Sequence, residues 1–231
     1  MPDPNLPLLE DAVVKLAPFL DEIVFVGGVT LGLLITDEAA APIRATTDVD
    51  VIAEIMTYAD YIAFAERLRQ AGFTEDAGEQ PLTCRWHLGT LTLDVLALSS
   101  EALGFTNIWY EPALRYAAAV TLSGGQSIRI ITAPFFLGTK MEAFKGRGRM
   151  DFQASHDLED FVAVIDGRDT LLQEIARSPR NLRDYLAEAA KALLAESRFL
   201  DVLPGLVLDS ERVPMIRQRL SAMAAGIAGN A

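Results

Sequence analysis

The sequence predicts an α+β fold, a small mixed β-sheet domain followed by a C-terminal helical bundle. Three observations carry that expectation. Short apolar runs such as Ile23-Val24-Phe25-Val26 and Val49-Asp50-Val51-Ile52-Ala53 alternate with amphipathic stretches in the first part of the chain. Two hairpin signals, Gly89-Thr90 and Ser123-Gly124-Gly125-Gln126, each join a pair of strand-like segments. From about Ser155 onward the pattern is helical throughout. The change of character falls between Leu137 and Ser155, which sets expected domains at 1–137 and 138–231, with the site expected in the cleft between them.

Taken in order, residues 7–20 read as a helix, with Leu8, Leu9, Val13, Val14, Leu16 and Leu20 roughly on one face. The run 23–26 is a buried strand that ends in Gly27-Gly28, and Val29 to Ile35 is helical. Thr36 to Thr47, with its charges, alanines and prolines, reads as a loop, and 49–53 as a strand. Thr57 to Ala71 is an amphipathic helix stopped by Gly72. Strands are expected at about Leu82–Leu88 and Leu91–Leu98, an aromatic-bearing loop at Gly104–Pro112, and strands at Ala118–Leu122 and Ile128–Ile131. Pro134 opens a helix to about Lys145. Further helices are expected near 155–165, 169–177, 180–198 and 209–225, the first capped by Ser155 with Leu158, Phe161, Val162 and Ile165 inward.

A chain of 231 residues is long enough for a sizeable core. Its net charge of −12, from 32 acidic and 20 basic residues, argues against a protein that coats nucleic acid, which needs a basic footprint. A nucleic-acid substrate held by a local basic patch stays compatible with it. One cysteine, Cys84, allows no intrachain disulfide, and it reads as a small strand residue rather than a reactive thiol. Two histidines are too few for a histidine-rich metal site. The acidic N-terminus lacks the basic and apolar regions of a signal peptide, and no apolar stretch reaches membrane length, so a cytoplasmic location is expected.

The chemistry concentrates in one unit: strand, Gly27-Gly28, helix, loop, then Asp48-Val49-Asp50 on the next strand. Glycines let backbone approach a phosphate, and a helix start favours an anion. Asp48 and Asp50, two residues apart on a strand, share one face. Like charges so placed call for a cation between them, and hard oxygen ligands suit magnesium. Alone, the pair also reads as a solvated strand end. Asp94 is a third acid, set in the apolar strand Leu91-Thr92-Leu93-Asp94-Val95-Leu96, where a carboxylate needs a partner or a metal. If the two strands are neighbours, three acids converge on a site fit for two metals, with Asp94 also able to accept the attacking hydroxyl's proton.

Phe25-Val26-Gly27-Gly28, Arg44-Ala45-Thr46-Thr47-Asp48-Val49-Asp50-Val51 and Leu93-Asp94-Val95 together resemble the polymerase-β-type nucleotidyltransferase superfamily over about residues 22–98. The segment between Gly28 and Asp48 is longer than in that superfamily. Leu137-Gly138-Thr139-Lys140-Met141-Glu142-Ala143-Phe144-Lys145-Gly146-Arg147 and Ser155-His156-Asp157-Leu158-Glu159-Asp160 are similar to its AbiEii-like toxin branch. The resemblance implies transfer of a nucleoside monophosphate from a nucleoside triphosphate to a hydroxyl on RNA, protein or a small molecule. It implies Mg2+ or Mn2+ on Asp48, Asp50 and Asp94, and phosphate contacts from Gly27, Gly28, Arg44 and Lys140. It also implies an auxiliary acid at Asp157, and a partner antitoxin protein if the chain is a toxin.

Blander readings stand beside these. Lys140 and Arg147 fit exposed charges on an amphipathic helix, and Asp157 and Asp160 fit dipole-complementing acids, Asp160 more so. Trp109 and Tyr110 suit either base stacking or pinning a loop to the core, while His87 and His156 read as structural. The competing functions are an antibiotic-type small-molecule nucleotidyltransferase, a glycosyltransferase, and a nucleotide-binding module without turnover. A glycosyltransferase would leave the Gly-Gly turn, Asp94 and Lys140 without a place.

Overall fold

The computed structural model describes residues 3–78, 83–146, 150–207 and 209–226. The chain forms two compact units. A sheet unit comprises Asp3–Gly32 and Ala45–Thr132, and a helical unit comprises Leu33–Arg44 and the chain from Ala133. Among the described residues, no helix is long and apolar enough to cross a membrane.

The sheet unit is built on strands β1 (Ile23–Val26), β2 (Val49–Ala53), β3 (Thr74–Glu75), β4 (Arg85–Leu88), β5 (Leu91–Leu96), β6 (Ala118–Thr121) and β7 (Ser127–Ile130). They form one seven-stranded sheet in the order β3-β4-β5-β2-β1-β7-β6. The sheet is mixed, as expected: β1 runs antiparallel to β2, whereas β2 and β5, and β1 and β7, are parallel. The central strands are apolar because both faces are covered; Val24, Phe25, Val51, Ile52, Leu93 and Val95 are fully buried. Strand β3 was not expected. Its two residues are both exposed and too few to show an alternating pattern. Leu82, assigned from sequence to the following strand, lies outside the described residues, and β4 begins at Arg85.

The helices of this unit follow local rules. Helix α1 (Leu6–Lys15) stops short of the expected Leu20, and a 3-10 turn at Ala17–Phe19 follows, where Pro18 can donate no helical hydrogen bond. After the Gly-Gly pair come a 3-10 turn at Gly28–Thr30 and the single turn α2 (Leu31–Leu34). Helix α3 (Tyr58–Gln70) starts at a capping box: Thr57 accepts from the Asp60 N–H, and Asp60 accepts from the Thr57 N–H. It ends ahead of Gly72, whose φ of +91° few other residues would adopt. Helix α4 (Ser100–Leu103) forms ahead of the expected loop Gly104–Pro112, and α5 (Tyr110–Arg115) begins within that loop's last residues. Trp109, only 4% exposed, pins this region to the core, so of its two readings the packing one holds.

The helical unit contains α6 (Ala133–Lys145), α7 (His156–Gly167), α8 (Leu171–Arg177), α9 (Arg180–Ala195), α10 (Ser197–Leu206) and α11 (Val213–Ala224). Ser155 caps α7 by accepting from the Leu158 N–H, and Leu158, Phe161, Val162 and Ile165 are fully buried, as their spacing predicts. The expected helix 180–198 is instead two. Glu196 takes an extended conformation, and its carboxylate accepts from the Arg198 N–H to start α10. Pro204-Gly205 masked α10 in the sequence; Pro204 sits in its last turn, where it offers no N–H to the Leu200 carbonyl but leaves the preceding turns intact.

Residues 33–44 belong to this unit for specific reasons. The Thr36 and Asp37 N–H groups both donate to the Gly167 carbonyl at the end of α7, at 2.8 and 2.9 Å. Arg212 donates to Asp166 and Asp37, at 2.6 Å each. Asp166 is 1% exposed, so Arg212 compensates a buried charge. Arg212→Ala should destabilise the protein by about 2–3 kcal/mol, the range for charged hydrogen bonds, read by urea denaturation.

Candidate active site

The register of the sheet places three charged side chains in a row. Asp50 on β2 lies directly beside Asp94 on β5, and Asp94 lies directly opposite Arg85 on β4. Cross-strand partners share a face, so all three project on the same side of the sheet. Asp48, two residues before Asp50, joins them from the entry to β2. The strands named from sequence are thus neighbours, and the three predicted acids lie on adjoining strands.

Arg85 had not been singled out in the sequence. Its Nε donates to Asp94 Oδ1 and its Nη2 to Asp94 Oδ2, both at 2.7 Å, which is a bidentate fork. The same Nη2 donates to Asp48 Oδ2 at 3.0 Å. Asp94 is 8% exposed, and this fork is what makes its burial tolerable. The hydrogen bonds that Arg85 donates to Asp94, set against burial, hold its guanidinium above its already high ordinary value. The signal that could have found Arg85 is simple counting. A two-residue turn at Gly89-Thr90 pairs Leu88 with Leu91, and three steps back along each strand pair Arg85 with Asp94.

The Gly-Gly turn closes on the same acids. Gly27 has φ +69° and ψ −164°, a conformation that side chains other than hydrogen rarely adopt. A Cβ built there would fall 2.0 Å from Asp50 Oδ2. Backbone and carboxylate therefore approach each other as closely as glycine permits. Asn5, 1% exposed and also absent from the sequence reading, ties the turn to the acid-bearing segment: its Nδ2 donates to the Gly28 carbonyl at 3.2 Å and its Oδ1 accepts from the Thr46 N–H at 2.9 Å. The Thr46 hydroxyl in turn donates to Asp48 Oδ1 at 2.8 Å. The helix expected after Gly28 is shorter than its pattern suggested. A helix of a single turn adds little dipole to the Gly27-Gly28 segment.

Other polar groups of this unit have structural duties. Burial, reinforced by the charge of Asp94, pushes the Cys84 thiol up to about 11, so it carries negligible thiolate at neutral pH. His87 bridges Asp76 and Thr92, both at 3.4 Å, on the outer part of the sheet.

The remaining predicted residues lie in the helical unit. Lys140 on α6 is 8% exposed and donates to Asp157 Oδ1 at 3.2 Å. It also meets Asp160 Oδ2 at 2.7 Å, as an ion pair rather than a well-aligned hydrogen bond. Asp160, read from sequence as a helix-start acid, is thus the nearer partner of the lysine. Arg44 adds a second positive charge, 3.7 Å from Asp160 and 3.9 Å from Glu159. Lys140 is therefore engaged by two buried carboxylates rather than lying on an exposed helix face. Arg147 lies outside the described residues.

Among the described residues, no group of three or more histidine, cysteine, aspartate or glutamate side chains is arranged to hold a metal ion. A magnesium ion asks for less, since one or two carboxylates suffice when substrate phosphates and water complete its shell. Asp48 and Asp50, hard oxygen donors on one face, meet that requirement. With Arg85 counted, three carboxylates and one guanidinium leave two formal negative charges in the row, which favours a further cation.

No family model and no curated protein matches the sequence. Among solved structures, the chain is similar to an antigenic nucleotidyltransferase-like protein from Paracoccidioides brasiliensis, at 17% identity and a TM-score of 0.44, covering 87% of this chain and 92% of that one. It is also similar to the antibiotic-resistance factor ANT(2'')-Ia, at 12% identity and a TM-score of 0.43, covering 97% and 95%. Similarity at this level says nothing of chemistry.

Proposed function

We propose that the chain is a metal-dependent nucleotidyltransferase that moves a nucleoside monophosphate from a nucleoside triphosphate to a hydroxyl acceptor. The observation that carries this reading is the acid row closed by Gly27: Asp48 and Asp50 on one face, with glycine backbone held against the Asp50 carboxylate. Asp48 and Asp50 would hold Mg2+ or Mn2+. Such an ion, when bound, neutralises phosphate charge and polarises the α-phosphoryl group. Gly27, having no Cβ, lets the backbone of the turn lie beside the Asp50 carboxylate, and Gly27 and Gly28 would meet phosphate oxygens through their backbone N–H groups. Asn5 and Thr46 fix the turn and the Asp48 carboxylate in register. In the reaction the acceptor oxygen bonds to the α-phosphorus, the bond from the α-phosphorus to the bridging oxygen breaks, pyrophosphate leaves, and the acceptor proton passes to solvent.

For the acceptor, RNA, a protein hydroxyl and an antibiotic-type small molecule are the classes this chemistry serves. The net charge of −12 disfavours a broad RNA surface. A toxin paired with an antitoxin protein is one setting in which the same reaction operates. One observation favours a second reading, a nucleotide-binding module without turnover: both Asp94 oxygens already accept from Arg85, so Asp94 is poorly placed to take a proton. Pyrophosphate release with magnesium and each nucleoside triphosphate separates the two. The transferase reading expects release that falls at least about a hundredfold in Asp48→Asn and in Asp50→Asn. Nucleotide bound with no release by the wild-type protein would establish the module instead.

A further inference from the structure

We infer that Arg85 is a resident cation of the acid row, filling at Asp94 the place a second metal ion would take, so that the site binds one divalent ion, on Asp48 and Asp50. The inference rests on the metal-site reading above and deepens it. Its basis is the fork from Arg85 to both Asp94 oxygens and the third bond from the same nitrogen to Asp48. A guanidinium keeps its charge at any physiological pH and presents its donors in a fixed plane, so it holds two carboxylates apart by geometry as well as by charge. Asp94, 8% exposed and beside Asp50 in the register, is then a positioning residue that anchors the arginine. The arginine in turn orients Asp48. A sheet site with three acids and no arginine would accommodate two ions. Here a fixed positive charge is covalently part of the site and independent of metal supply.

The test is the stoichiometry of Mn2+ binding, with Mn2+ alone as probe and free ion read by electron paramagnetic resonance. The wild-type chain should bind one ion. Arg85→Gln uncovers Asp94 and should bind two, with the first held about tenfold tighter or more, because a positive charge within bonding distance has gone. Arg85→Lys keeps the charge and should stay at one ion. The double variant Arg85→Gln/Asp94→Asn replaces the ion pair by a neutral one, avoids an uncompensated buried acid, and should also bind one. Two ions on the wild-type chain, or loss of binding in the double variant, would overturn the inference while leaving the metal-site reading standing. No ion on any of the four proteins would overturn both.

Discussion

Gly27→Ala should cut pyrophosphate release about a hundredfold while costing about 2–4 kcal/mol of stability. Two independent effects add at this position. The backbone sits at φ +69° and ψ −164°, a region in which a side chain costs roughly 1–3 kcal/mol. The new methyl would also fall 2.0 Å from Asp50 Oδ2, so the carboxylate must move by about 1.5 Å to restore ordinary contact. A displacement of that size in a group that orients reactants costs on the order of a hundredfold in rate. Urea denaturation gives the stability term, and pyrophosphate release at a temperature where the variant is folded gives the chemical one. Gly28→Ala is the informative comparison: Gly28 lies outside the positive-φ region, so that variant should keep the larger share of stability.

Lys140→Met should destabilise the protein by about 3–5 kcal/mol. Methionine matches the length of the lysine stem but leaves Asp157 and Asp160, 7% and 2% exposed, without their ammonium partner. Removing one member of a buried ion pair strands the other charge in a medium that solvates it poorly. Arg44, 3.7 Å from Asp160, softens the loss without replacing a 2.7 Å contact. Adding Asp160→Asn to Lys140→Met should recover a measurable part of the stability. Recovery in the double variant, read by thermal or urea unfolding, identifies the buried carboxylate as the source of the loss.

What the sequence made legible was periodic or local. The amphipathic spacing of Leu158, Phe161, Val162 and Ile165 specified α7 and its inward face, and apolar runs located the central strands. Asp48 and Asp50 stood out because their i, i+2 spacing sets two like charges on one strand face, and Asp94 because a carboxylate is expensive in an apolar strand. What escaped depended on partners distant in the chain. Nothing around Arg85 marks it until the hairpin is counted across to Asp94. Asn5 acquires its duty only from Gly28 and Thr46, 23 and 41 residues away. The segment 33–44 reads as part of the sheet unit by position, yet the Gly167 carbonyl and Arg212 hold it with the helices. Asp160 looked like a generic helix-start acid because its partner, Lys140, sits on another helix.

Nucleotidyl transfer by the acid row, as proposed, is read by label transfer. The protein is incubated with magnesium and each α-labelled nucleoside triphosphate in turn, with total tRNA, cell protein, candidate small-molecule hydroxyl acceptors or no acceptor, beside Asp48→Ala. Label is expected on one acceptor class with the wild-type chain and on none with the variant. Label that persists in Asp48→Ala, or nucleotide that binds yet never transfers to any of these acceptors, would contradict it.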